Sequence, residues 1–149
     1  MPLKGTFSIF IIPVMTYTYD PQLLKKGITY PEYLQEVKDQ IEHPTKEAGD
    51  LKLLPYKKKN FEIMEQLNKE VTLANDFLEA IASAPKMEWL VITEGWCGDA
   101  AYILPVLAAA AKVESRKVSL KIYFRDQNLD LIDAHLTDGG RSIPKLIIL

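Results

Sequence analysis

A single cysteine, Cys97, sits in the stretch Trp96-Cys97-Gly98-Asp99-Ala100. It is the only thiol in 149 residues, so an intramolecular disulfide is impossible. Cysteine-rich zinc sites are excluded on the same count. An apolar run, Met87 to Thr93, precedes the stretch, and an alanine-rich one, Ala100 to Val113, follows it. The pattern puts Cys97 between a strand and a helix. A helix start presents unpaired N–H groups and the positive end of the helix dipole, and both favour a thiolate. Asp99 suits the first helical turn but opposes the thiolate, because like charges repel. Two readings of the residue stand at this point: a reactive thiol, or a small buried hydrophobe.

The elements that must position this junction follow from periodicity. Met87-Glu88-Trp89-Leu90-Val91-Ile92-Thr93 is short, apolar and β-branched, which predicts a strand buried on both faces. Gly98 to Glu114 predicts a helix with Pro105 inside it. Val118 to Phe124 alternates and predicts a second strand. Asn128 is expected to cap a short helix carrying Leu129, Leu131, Ile132 and Leu136, ended by Gly139-Gly140. Lys145 to Leu149 predicts a last strand. Strand, helix and strand in that order predict a parallel pair with a right-handed crossover.

Upstream, Thr29 and Glu32 have capping-box spacing, and Pro31 fits a first turn. Tyr30, Tyr33, Leu34, Val37 and Ile41 then share one helical face, and Pro44 ends that helix. Linker chemistry runs through Asp50, and helix is expected to resume after Pro55. Phe61, Met64, Leu67 and Val71 form one stripe; Phe77, Leu78, Ile81 and Ala82 form another. A break falls near Thr72 to Asn75 and a stop at Ala84-Pro85. Both stripes read as core packing. Lys57-Lys58-Lys59 reads as a solvated helix start. The organisation expected is a mostly helical extension, residues 1–85, packed on a main domain, residues 86–149.

Composition narrows the function classes. Charged residues make up 26% and apolar residues 48%, ordinary for a globular chain, and the net charge of −2 gives no electrostatic case for nucleic acid. His43 and His135 lie in unrelated contexts and are expected at the surface or in packing. Phe7 to Ile12, preceded by Lys4, faintly imitates a secretory leader, but Pro13 interrupts it and no small-x-small site follows. The run is too short to span a bilayer. The expectation is a cytoplasmic protein, with export left open, that uses no metal and no cofactor and binds neither nucleic acid nor membrane.

Three landmarks in order resemble the thioredoxin family. Trp96-Cys97-Gly98 after an apolar strand resembles its redox motif. Pro105 resembles the kinking proline of its helix. Arg141-Ser142-Ile143-Pro144, followed by Lys145 to Ile148, resembles its cis-proline loop and the strand beyond. The resemblance implies an α/β, three-layer fold with a central mixed sheet flanked by helices. It implies Cys97 as the catalytic residue. Trp96, Gly98, Asp99, Arg141, Ile143 and Pro144 would form the partner-binding surface, and the partner would be a protein or small-molecule thiol or disulfide. Arg141 is a candidate to lie near the sulfur.

The departures are as informative. The second cysteine of the thioredoxin motif is Ala100 here, and its buried acid is Val91. Ordinary dithiol reduction is therefore excluded, because a mixed disulfide at Cys97 cannot be resolved internally. This WCGDA form is similar to a divergent single-cysteine branch seen most often in bacteria. The family fold also continues past the strand that here ends at Leu149. A truncated chain, a homodimer, or pairing by Phe7 to Ile12 would each account for that edge, and pairing by residues 7–12 is the arrangement expected.

Overall fold

The apolar run at 87–93 forms the central strand of the protein, β1 (Met87–Thr93), and its last five residues are all buried. The computed structural model describes residues 17–149. β1 pairs in parallel with β2 (Val118–Phe124), Met87 lying opposite Val118. Its other edge pairs antiparallel with β3 (Lys145–Ile148), Trp89 lying opposite Ile148. The sheet order is β2-β1-β3. Among the described residues four helices precede β1: α1 (Pro21–Lys26), α2 (Tyr30–Glu42), α3 (Ala48–Glu70) and α4 (Asn75–Ser83). Helix α5 (Gly98–Val113) connects β1 to β2, and α6 (Leu129–Asp133) follows a single 3-10 turn, Arg125–Gln127.

Alternation along β1 sorts its side chains into cores on the two faces of the sheet. Val91, with Ile122 and Phe124 of β2, packs against Leu104 of α5, Met64 of α3, and Tyr33 and Val37 of α2. Trp89 packs with Val118, Ile81 of α4 and Ala110 of α5. On the opposite face Leu90, Ile92 and Tyr123 pack with Leu131 and Ile132 of α6, and Leu23 and Leu24 of α1 join them. The product is a mixed sheet between two helical layers, as the sequence resemblance implies. The capping box of α2 forms as predicted: Thr29 caps Glu32 N–H while the Glu32 carboxylate accepts from Thr29 N–H.

Several local expectations are corrected. Helix does not wait for Pro55. It begins at Ala48 and carries the proline inside α3. An internal proline costs about 3 kcal/mol, and the buried face farther along α3, Asn60 and Met64, offsets that loss by anchoring the helix. Lys57 is not a solvated cation: it is buried, and its Nζ donates to Asp50 Oδ1 at 2.6 Å. α6 ends at Asp133, well before Gly139-Gly140. Those glycines belong to a tight turn in which Thr137 and Gly140 exchange backbone hydrogen bonds and Gly139 takes φ 77°. Asn128 stands at the N-cap of α6 but turns its Nδ2 back to the Phe124 carbonyl instead of capping.

The outer edge of β3 has no strand beside it among the described residues. Leu146 and Ile148, 40% and 55% exposed, lie along it. The segment expected to cover this edge, residues 7–12, lies outside the described residues. The first core sets one clear expectation. Leu104 is fully buried, so Leu104→Ala should cost about 2–5 kcal/mol in urea unfolding. A loss below about 1 kcal/mol would contradict the packing.

Candidate active site

The chain leaves β1 at Thr93 and makes one turn before entering α5. Cys97 N–H donates to the Glu94 carbonyl at 3.0 Å, closing that turn. Cys97 then occupies the N-cap of α5 in extended geometry, and no side chain caps the helix. The first N–H groups of α5 therefore have no side-chain acceptor.

The residue is 7% exposed, and its Sγ donates a weak hydrogen bond to the Ile143 carbonyl at 3.6 Å. The peptide bond between Ile143 and Pro144 is cis. Cys97, Ile143 and half-buried Trp96 therefore come together, whereas Gly98 and Asp99 stand exposed on the first turn of α5. Ala100 is buried in the core, at the position where a second thiol would resolve an adduct. Arg141 does not partner the sulfur. Its Nε and Nη2 fork onto the Asp133 carboxylate at 2.6 and 2.8 Å. The cation recorded against the motif is Arg125, whose guanidinium lies 5.1 Å over the Trp96 ring and also binds Asp126.

Helices α2 and α3 hold the turn from behind. A Cβ on Gly95 would lie 3.1 Å from Val37 Cγ2, so glycine here permits α2 to approach the turn closely. Asn60, 4% exposed, donates its Nδ2 to the Gly95 carbonyl at 3.1 Å. Sequence reasoning passed over Asn60. Its signal was a polar residue one turn before Met64, on the face that packs inward.

Glu94 was also passed over, because an acid just past an apolar strand reads as the start of a loop. It is 8% exposed, and its Oε1 accepts Asp126 N–H at 2.9 Å. Burial pushes its pKa up, and the Asp126 charge adds to this; the hydrogen bond from Asp126 N–H and the Arg125 and Lys57 cations oppose it. Tyr33 reports on the same environment. Its pKa is raised first by burial and then by the charges of Cys97, Glu94 and Tyr30.

A thioredoxin family model matches residues 50–149 of this sequence. The chain belongs to the thioredoxin family. No curated protein and no solved structure matches it. The matched region of this thioredoxin-family protein begins inside α3, so it takes in Lys57 and Asn60 as well as the motifs on residues 87–149. Among the described residues, no group of three or more His, Cys, Asp or Glu is placed to hold a metal ion. No described helix is long and apolar enough to cross a membrane.

Two expectations follow. Asn60→Ala leaves the Gly95 carbonyl buried without its donor, and should cost about 1–3 kcal/mol in chemical denaturation. Glu94 sets a pH dependence. Its pKa is raised on folding, so the stability it contributes is full below the ordinary carboxyl value of 4.5 and is lost as pH rises through the raised value. Glu94→Gln lacks this penalty. The stability of the Gln variant minus that of the native protein should therefore grow as pH rises above the ordinary carboxyl value of 4.5. A flat difference in urea unfolding would refute it.

Proposed function

We propose that this protein is a single-cysteine thiol-exchange protein. The observation that carries the reading is Cys97 at the uncapped start of α5, with its sulfur against the Ile143 carbonyl of the cis-proline loop. In the reaction, the Cys97 thiolate attacks one sulfur of a disulfide. A new Sγ–S bond forms, the old S–S bond breaks, and the departing thiolate takes a proton from water. With Ala100 at the resolving position, a second, external thiol must attack the mixed disulfide to release the product and restore Cys97. A reducing compartment such as the cytoplasm supplies that thiol. The substrate is a protein or low-molecular-weight disulfide. An extended segment can add itself beside the backbone of the cis-proline loop, with Trp96 and Ile143 offering apolar contact.

A second reading, a thioredoxin-fold binding module without redox turnover, is favoured by one feature. Tyr102, Ile103 and Val106 are exposed on α5 just beyond Cys97 and Asp99. An apolar surface of this kind suits a protein partner. Intact-mass spectrometry of the native protein after exposure to oxidised glutathione separates the two. Thiol exchange requires one glutathione adduct, reversed by added thiol and missing from Cys97→Ser. Absence of an adduct on the native chain would favour the binding module.

A further inference from the structure

We propose that the outward face of α5 is a self-association surface, on which a second copy of this chain packs antiparallel about a two-fold axis. The inference takes up the exposed residues that favour the binding reading and names their occupant. It does not depend on thiol exchange at Cys97, which the glutathione adduct reads separately.

A helix packed on a sheet normally turns polar and charged residues to solvent. The outward stripe of α5 does not. Asp99, Tyr102, Val106, Ala109 and Val113 recur at alternating spacings of three and four residues, which sets them along one line of the helix. Tyr102, Val106 and Val113 are exposed and Ala109 is half-buried, whereas Ala100, Leu104 and Ala110 turn to the core. Beyond Asp99 this line carries no charge to the end of α5. The same spacing, continued one step into the turn after the helix, reaches exposed Arg116. The stripe is thus apolar in the middle, acidic at one end and basic at the other. Neither Asp99 nor Arg116 has an ion-pair partner among the described residues.

That distribution is complementary to itself. In a two-fold contact, wherever one residue touches another, the reverse contact is made as well. With the axis between Val106 and Ala109, antiparallel pairing sets Tyr102 against Val113 of the second copy, Val106 against its Ala109, and Asp99 against its Arg116. Each apolar position meets an apolar one, and both ends meet opposite charge. Parallel pairing would set Asp99 against Asp99 and Arg116 against Arg116, with repulsion at both ends. The small side chain of Ala109, next to the axis, lets the two helices approach closely. Arg116 of the second copy comes to the first turn of α5, two residues from Cys97, so each site is bordered by the other copy. One helix pair covers less than the about 800 Å² per partner of a standard interface, so the dimer should be weak and form as concentration rises.

The test is sedimentation equilibrium of the full-length protein over a wide concentration range, with reductant present so that a Cys97–Cys97 disulfide cannot join the copies. The native mass should rise from one chain towards two. Val106→Asp places two carboxylates beside the axis and should hold the protein monomeric; Val106 is exposed, and an unchanged urea midpoint would show that the fold is kept. Asp99→Arg and Arg116→Asp should each weaken association about tenfold, since each turns both end attractions into repulsions. The double reversal should restore native association. A native protein that stays monomeric throughout overturns the proposal. So does a dimer indifferent to Val106→Asp, which would place the contact on another face such as the edge of β3. Single reversals that the double variant does not rescue overturn the antiparallel pairing.

Discussion

The whole arrangement depends on β1 being buried on both faces and hydrogen-bonded along both edges. A strand in that position has no side available to water, so helices must cover each face. The cover on one side comes from α5 together with helices that precede the strand; α1 and α6 supply much of the other. The end of β1 is thus the one place where the chain leaves the interior with its direction already fixed. The candidate residues Glu94 to Cys97 lie within four residues of that exit.

The exit is not self-supporting. Glu94, Gly95, Trp96 and Cys97 make only one backbone hydrogen bond among themselves, from Cys97 N–H to the Glu94 carbonyl. The rest of their restraint is imported. Val37 closes on Gly95, Asn60 binds its carbonyl, Asp126 N–H holds the Glu94 carboxyl, and Arg125 lies on Trp96. Segments far apart in sequence therefore share the task of aiming one sulfur. The upstream helices are part of the site's foundation, in keeping with a family match that starts within α3.

How much of this was legible follows from where each signal lies. β1, β2 and α2 could be read because their apolar periods are clean and their ends carry recognisable chemistry, such as Thr29 with Glu32. The motif residues Cys97 and Ile143 were legible as a pair only through resemblance, since nothing local links positions 46 residues apart. Pro55 misled because proline normally starts or breaks a helix, and here tertiary contacts farther along α3 outweigh that preference. Lys57 misled because a run of three lysines looks solvated, although one of every three or four helix positions turns inward. Glu94 and Asn60 were silent for a related reason: polar residues announce themselves by burial, and burial is a property of the assembled fold. Arg141 illustrates the converse: the resemblance put it near the sulfur, but its guanidinium pairs with Asp133, eight residues earlier in the chain.

Ala100 has a kinetic meaning that goes beyond the lack of a second thiol. In a dithiol protein an adduct leaves by a first-order step, at a rate written into the protein itself. On the proposed reading, with a buried methyl group at this position, an adduct on Cys97 would leave only by collision with an outside thiol. Its decay would then be second-order, and its lifetime would vary inversely with the surrounding thiol concentration. The modified state would act as a record of recent redox conditions, persisting for as long as the environment withholds the reagent that erases it.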